Sequence, residues 1–165
     1  MNHDNIGFLG ADDVRRLDTL LASFLAETRA LFAVLCDRSG RMLTGVGELR
    51  DVDQTTFASL VAGDFAASDQ LAAQLGEAEF ATLYHHGPQR SMFLADVGGS
   101  VILAVLFDQR TTLGMVRIRT KSLIPDCAAV FELIRRRGPL GNLVQFEAGW
   151  ANEAESEIDR LFSDR

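Results

Sequence analysis

The 165-residue sequence predicts a single-domain α+β fold in which helices cover an antiparallel sheet. Two continuous apolar runs, 30–36 and 101–107, have the length of buried strands and are too short for globular helices. Turn sequences at 37–40 (Asp-Arg-Ser-Gly) and 98–99 (Gly-Gly) predict hairpins between neighbouring strands. Three longer segments carry apolar residues at helical spacing. The predicted order is therefore helix, two strands, helix, three strands, helix.

The first half of the chain contains a helix, a hairpin and a second helix. Asp12 and Asp13 suit the positive end of a helix dipole and predict a helix over 11–28. The hairpin strands follow at 30–36 and 41–46. The second helix is predicted over 53–75, with Asp53 as its cap. Its larger apolar residues are expected to pack on the sheet; they are Phe57, Leu60, Val61, Leu71 and Leu75.

The second half contains three strands and a long helix. The strands are predicted at 79–86, 91–97 and 101–107, and the apolar character of 30–36 and 101–107 predicts that these two are central and adjacent. Thr111 and Thr112 offer hydroxyl caps for a helix over 112–137. Pro125 is expected to kink or split that helix, because proline lacks the backbone donor.

Composition excludes several classes of protein. A net charge of −7 argues against nucleic-acid binding and against adhesion to an anionic membrane. The longest apolar runs are far shorter than the roughly 18–20 residues of a membrane span. Cys36 and Cys127 are expected to be buried thiols of a cytoplasmic protein, since their spacing matches no redox or zinc motif. The sequence calls for no cofactor or metal.

Charge divides the chain into a predicted domain and a tail. We expect a lead-in over 1–10, a domain over 11–137 and an acidic tail over 138–165. The segment 110–137 has a net charge of +5, whereas 145–165 has a net charge of −4. The tail carries apolar anchors at helical spacing, namely Ile158, Leu161 and Phe162. Such a tail could fold back on the basic helix or dock on a partner.

The sequence contains no recognisable catalytic motif. It lacks the phosphate-binding loop GxxxxGK[ST], the nucleophile motif GxSxG and the zinc motif HExxH. His85 and His86 are adjacent in a predicted strand, so they face opposite sides of the sheet and are poorly placed to share a metal. Arg110 lies in a loop, where a pair with Asp108 or with the acidic tail is the alternative to a role in catalysis.

The second helix carries two rows of small residues at a spacing of four. One row is Ala58, Ala62 and Ala66, and the other is Ser59, Gly63 and Ala67. Such rows allow another backbone to approach closely. Spacing alone leaves two interpretations open, which are contact with a second molecule and tight packing of the helix on its own sheet.

Four segments, taken in order, resemble the Roadblock/dynein light chain family. They are 59–67 (SLVAGDFAA), 75–80 (LGEAEF), 84–87 (YHHG) and 107–114 (FDQRTTLG). The similarity covers roughly 11–162 and is greatest to the bacterial MglB-like members. It implies a Roadblock-type, longin/profilin-like αββαβββα fold, with the second helix on one face of a five-stranded antiparallel sheet and the terminal helices on the other.

The resemblance also implies a function. MglB-like members act as homodimers on an MglA-like Ras-type small GTPase in cell polarity or gliding motility, without an active site of their own. It implies a location in the cytoplasm, concentrated at a cell pole. The implied dimer interface is Ala58, Ser59, Gly63, Ala67 and Tyr84. The implied GTPase-binding platform is Ala62, Ala66, Asp69 and Gln70, and the tail anchors Ile158, Leu161 and Phe162 would reach a second surface of the GTPase.

One departure from the family pattern leaves alternatives open. Asp69 and Gln70 occupy positions where related chains have small residues, which puts activation of the GTPase in question more than dimerisation. The second hypothesis is therefore a non-catalytic adaptor that pairs with another Roadblock protein. A third, a small-molecule sensor, would need a sizeable pocket, and the small-residue packing argues against one.

Overall fold

The computed structural model describes residues 9–50 and 52–137. They form three helices and one antiparallel sheet of five strands, in the strand order β2-β1-β5-β4-β3. The elements in chain order are α1 (Ala11–Thr28), β1 (Phe32–Asp37), β2 (Met42–Gly47), α2 (Gln54–Gln74), β3 (Thr82–His86), β4 (Ser91–Val97), β5 (Val101–Phe107) and α3 (Leu113–Arg137). The α+β prediction and the predicted element order are confirmed.

The two apolar strands are central and adjacent, as predicted. β1 pairs with β5 in antiparallel register from Phe32–Leu106 to Asp37–Val101. Both strands are buried over nearly their whole length, because helices cover both faces of the sheet. The shorter strands β2 and β3 form the two edges.

The helices divide into two layers on opposite faces of the sheet. α1 and α3 pack together over one face, where Leu17, Leu21, Phe24 and Phe131 belong to the larger core cluster. α2 lies alone on the other face, over a smaller cluster that includes Phe32, Ile102 and its own Phe65. The candidate interaction surface is formed by α2 and by β3, the nearby edge strand of the sheet.

Local capping explains where the helices begin. The Asp53 carboxylate accepts a hydrogen bond from the Thr56 amide at 2.5 Å, as the sequence predicts. At α3 the Thr112 hydroxyl accepts one from the Met115 amide at 3.2 Å. The Asp13 carboxylate instead reaches back to the Gly10 amide at 3.1 Å, which fixes the first turn of α1.

Two local predictions need correction. α3 continues through Pro125 without a split; the proline lies on the exposed side of the helix, where water can reach the carbonyl left unpaired by its missing amide hydrogen. β3 begins at Thr82 and not at 79, because Thr82 already pairs with Ala95 and β4 ends two residues later at Val97. Ala81 still accepts a hydrogen bond from the Asp96 amide at 3.1 Å, but the ladder ends there.

Candidate interaction surface

The outer side of α2 carries large apolar side chains that the described part of the chain leaves uncovered. Leu60, Leu71 and Leu75 are 67%, 61% and 72% exposed. Gly63 and Ala67, which are also exposed, lie between them on the same side of the helix. We call these five residues the α2 ridge. Isolated exposed leucines are common on protein surfaces, but a contiguous apolar row along one helix is typical of an interaction site.

The ridge corrects the predicted orientation of α2. Leu60, Leu71 and Leu75 were expected to pack on the sheet, and they point away from it. Smaller side chains take that place, since Ala58, Ala62 and Ala72 are buried against the sheet together with Val61, Phe65 and Ser68. Small side chains allow the helix backbone to lie close to a sheet surface that already carries Phe32, Leu94 and Ile102.

The unpaired edge of β3 lies beside the ridge. Among the described strands β3 pairs only with β4, on one side, and most of its residues are exposed. The His85 Nε2 atom lies 2.6 Å from an Asp64 carboxylate oxygen on α2, so the helix and the edge strand are in direct contact. Tyr84, 43% exposed, stacks on Phe107 on the opposite face of the sheet, with ring centroids 6.3 Å apart. The ridge and the edge therefore form one continuous surface.

The two predicted rows of small residues have different environments. Ala58 and Ala62 are 0% and 6% exposed, so their side chains belong to the core beneath α2 and are not available to a partner. This removes Ala58 from the implied dimer interface and Ala62 from the implied platform. Gly63 and Ala67 are exposed, and a Cβ atom added at Gly63 would meet nothing within 4 Å. Tight packing on the sheet is thus confirmed for Ala58 and Ala62, and contact of Gly63 and Ala67 with a second molecule stays a prediction.

The other side of α2 faces the β1–β2 hairpin. Gly40, at the tip of the hairpin, has a φ of +88°, and a Cβ there would lie 2.7 Å from the Cα atom of Ser59, so only glycine suits both the turn and the contact. Ser59 therefore lies on the hairpin side, away from β3. Ala66 and Gln70 are exposed on this side of the outer surface. We call Ser59, Ala66 and Gln70 the α2 strip.

Asp69 forms an ion pair with Arg38, a residue that no sequence pattern marks as part of the site. Arg38, in the hairpin turn, donates to Asp69 at 2.7 Å and to Asp96 of β4 at 2.6 Å. Its guanidinium carbon lies 4.6 Å from the centroid of the Phe65 ring. The Asp69 side chain therefore connects α2 to Arg38 of the hairpin, which also binds β4, whereas the Gln70 side chain is exposed. Asp69 and Gln70, treated together in the sequence, have separate roles.

Comparison with known protein families identifies this architecture. A profile of the Roadblock/LC7 domain matches residues 16–107. The chain belongs to the Roadblock/LC7 family. The match runs from residue 16, within α1, to the end of β5 and includes α2 and the β3 edge. Comparison with curated protein sequences gives no match.

Solved structures place this Roadblock chain near MglB proteins. It is similar to Myxococcus xanthus MglB, with 34% identity and a TM-score of 0.68 over 70% of this chain and 94% of that chain. It is similar to the gliding protein MglB of Thermus thermophilus, with 33% identity and a TM-score of 0.69 over 76% and 94%. An MglB with a tetrameric arrangement gives 32% identity and 0.72 over 77% and 95%.

The remaining candidate residues of the Roadblock domain have structural partners. Arg110 donates to Asp108 at 3.0 and 3.2 Å, the pair expected from sequence. His85 and His86 face opposite sides of the sheet, and no cluster of three potential metal ligands occurs within residues 9–50 and 52–137. Cys36 and Cys127 are buried free thiols, and burial raises the pKa of each to about 12, which suppresses the reactive thiolate.

Two further expectations concern the membrane and the tail. None of the helices described is both long enough and apolar enough to cross a bilayer. The predicted docking anchors Ile158, Leu161 and Phe162 lie outside the described residues, as does the rest of 138–165. Their role therefore stays a prediction.

Proposed function

We propose that this chain regulates an MglA-like Ras-type small GTPase and does so as a homodimer. Membership of the Roadblock family and the similarity to MglB proteins support a regulatory role. The observation that carries the proposal is the continuous surface made by the α2 ridge and the unpaired edge of β3. An open strand edge beside an apolar helix face is the arrangement that a two-fold interface completes.

In the proposed dimer, the β3 strands of two protomers pair antiparallel and the two α2 ridges pack against each other. Leu60 and Leu71 would then be covered, and each buried leucine contributes about 1.5–3 kcal/mol. Gly63 and Ala67 allow the two helix backbones to approach closely. Of the dimer-interface residues that the resemblance implies, this assignment retains Gly63, Ala67 and Tyr84. It adds the leucines of the α2 ridge.

The α2 strip is then the proposed contact for the GTPase. Its residues Ala66 and Gln70 face away from the sheet on the side of α2 opposite β3. Two loop arginines are engaged within the protomer, Arg38 by Asp69 and Asp96 and Arg110 by Asp108. We therefore favour a mechanism in which the dimer positions the GTPase's own Gln and Arg against the γ-phosphate and the attacking water, without inserting an arginine.

The direct test is GTP hydrolysis by the MglA-like GTPase of the same organism, with and without this protein. We expect acceleration of roughly tenfold or more, equivalent to about 1.4 kcal/mol of barrier. Ala66→Arg should abolish binding to the GTPase, whereas Ala129→Arg, at an exposed alanine of α3 on the opposite face of the sheet, should leave it unchanged. Unchanged affinity for Ala66→Arg would refute the assignment of the strip.

A second candidate function is an adaptor that pairs with another Roadblock subunit. Gln70 favours it, because a long polar side chain on the strip suits a different partner from the small residues expected there. Binding of the GTPase without acceleration would support the adaptor. Absence of a GTPase complex, together with a complex of two different Roadblock chains, would replace the first proposal with the second.

A further inference from the structure

α3 carries a basic and apolar surface that the described elements leave open. Ile118 is 65% exposed, and Arg117 and Lys121, also exposed, flank it on the outer side of the helix. We call these three residues the α3 basic face. It lies on the opposite side of the sheet from α2, so neither the proposed dimer nor the proposed GTPase contact covers it.

The two basic side chains of this face differ from the other arginines of α3. Arg119 pairs with Glu27 at 3.0 Å, Arg135 and Arg136 pair with Glu132 at 2.9 and 3.0 Å, and Arg137 pairs with Asp13 at 2.5 Å. Within residues 9–50 and 52–137, Arg117 and Lys121 form no ion pair with a carboxylate. Like charges four residues apart repel each other on a helix. A ligand with two suitably spaced carboxylates would relieve this repulsion.

We propose that the segment 155–162 of this same chain docks on the α3 basic face. The segment reads Glu-Ser-Glu-Ile-Asp-Arg-Leu-Phe. In a helical conformation, Ile158, Leu161 and Phe162 would form one apolar side, able to cover Ile118. Glu155 and Asp159 would lie beside that apolar side with a spacing of four residues, which matches the spacing of Arg117 and Lys121. The two carboxylates therefore match the two basic side chains in number and in spacing, and the apolar side of the segment would cover Ile118.

The length of the intervening chain fits this contact. α3 ends at Arg137, and the centre of the basic face lies about 27 Å back along the helix at 1.5 Å per residue. The spacer 138–154 contains 17 residues, and a chain of that length has a root-mean-square span of about 20–25 Å. Tethered association is most favourable when the span matches the distance, and the effective concentration is then about millimolar.

Docking on α3 would make the apolar anchors of the acidic tail unavailable to any other protein. The same residues, Ile158, Leu161 and Phe162, are those that the sequence analysis assigns to the GTPase. The α3 basic face would therefore act as an internal competitor, and a partner would bind the tail only after displacing it. This inference does not require the proposed GTPase function, because it concerns two parts of one chain.

Paramagnetic broadening in the full-length protein tests the contact. A nitroxide is attached at Ser163→Cys; Cys36 and Cys127 are both buried and will react slowly. In an ¹⁵N-labelled sample we expect the amide signals of 114–122 to lose more than half of their intensity. Mixing spin-labelled, unenriched protein with ¹⁵N-labelled protein without a nitroxide should give no broadening, because the contact is within one chain. Absence of broadening in the first sample, or broadening in the mixed sample, would overturn the proposal.

Charge reversal identifies the docking face. Arg117→Glu combined with Lys121→Glu should restore the signals, and adding Glu155→Lys with Asp159→Lys should bring the broadening back. The control is Arg15→Glu with Arg16→Glu, two exposed residues that line a separate cleft of about 650 Å³ between α1 and α3. Broadening that survives the α3 reversal, or that is lost only in the control, would refute the assignment to this face.

Discussion

The two helical layers of this protein use large and small residues in opposite ways. In the α1/α3 layer the large side chains point inward, and Leu17, Leu21 and Phe131 are 0–1% exposed. In the α2 layer alanines lie against the sheet, whereas Leu60 and Leu71 face outward. The first layer also leaves apolar side chains exposed, among them Ile118, which lies between basic residues. The second presents, within the described residues, a contiguous apolar row beside an open strand edge, and we place the interaction site there for that reason.

The first way to test this contrast is to truncate one leucine in each layer. Leu21→Ala removes a fully buried side chain from the α1/α3 layer and should lower the free energy of unfolding by about 2–5 kcal/mol. Leu60→Ala should change the unfolding of the protomer by no more than about 0.5 kcal/mol, since its side chain is exposed there.

Urea denaturation at a fixed protein concentration measures the two values, because association with a second copy also contributes to apparent stability. Analytical ultracentrifugation measures the self-association of the same two variants. We expect Leu60→Ala to weaken self-association and Leu21→Ala to leave it unchanged in the folded fraction. A large loss of protomer stability for Leu60→Ala would show that Leu60 is a core residue and would remove the contrast.

The second test concerns the ion pairs that attach α2 to the sheet. α2 contacts the strands mainly through one narrow apolar face. In addition, Arg38 of the hairpin binds Asp69 of α2 and Asp96 of β4. Arg38→Ala would leave Asp96, whose side chain is only 15% exposed, without its cation. We expect a loss of about 2–3 kcal/mol, below the values for fully buried pairs because Arg38 keeps some solvent access.

Arg41→Ala is the matched control, since Arg41 follows the same turn and pairs with Asp37 while 62% of its side chain is exposed. Exposed pairs contribute at most about 1 kcal/mol. Thermal and urea unfolding compare the two variants. Equal losses for Arg38→Ala and Arg41→Ala would mean that Arg38 does not fasten α2 in the way the geometry indicates.

The third test enlarges a small residue on each side of α2. Ala62 is 6% exposed and lies against the sheet, so Ala62→Leu should overpack the contact and lower the free energy of unfolding by about 1–3 kcal/mol. Ala66→Leu, one turn later on the exposed strip, should change it by less than about 0.5 kcal/mol. The reverse order of the two values would show that α2 is rotated about its axis relative to this structure.

Much of this architecture follows from sequence patterns, but the orientation of α2 does not. The apolar runs at 30–36 and 101–107 correctly predict the paired central strands, and Asp53 correctly predicts where α2 begins. Along α2 both a row of alanines and a row of leucines have helical spacing. Periodicity cannot decide which row is buried when both are apolar, and the expectation that the larger residues are buried holds for Val61 but is wrong for Leu60, Leu71 and Leu75.

The charged contacts of the site were harder still to predict. Arg38 is separated from Asp69 by 31 residues and from Asp96 by 58 residues. No local pattern links residues so far apart in the chain, and in the sequence Arg38 is an ordinary residue of a turn. The family resemblance implies that α2 carries the site, but it could not separate Asp69, which pairs with Arg38 within the protomer, from Gln70, which is exposed.

The last and smallest expected effect concerns the ion pair that joins α1 to α3. Burial acts to raise the pKa of Asp13, but hydrogen bonds from Arg137 and from the Gly10 amide, together with the arginine's charge, outweigh it and hold that pKa below its ordinary value of 3.8. A carboxyl group with a lowered folded-state pKa stabilises the protein fully above its unfolded-state pKa. That stabilisation is lost as the pH falls through the lower, folded-state value.

We therefore expect the free energy of unfolding to fall with pH below about 4, partly because Asp13 becomes protonated. Arg137→Gln removes the strongest donor to Asp13 and should flatten this part of the profile, and Arg136→Gln, a neighbouring residue that binds only Glu132, should affect the Asp13 titration little. Urea unfolding between pH 3 and pH 7 gives the profiles, and NMR of the Asp13 carboxyl gives its pKa directly. If Arg137→Gln leaves that pKa unchanged, then Arg137 does not stabilise the Asp13 carboxylate, and Arg119–Glu27 is the remaining ion pair between α1 and α3 among the described residues.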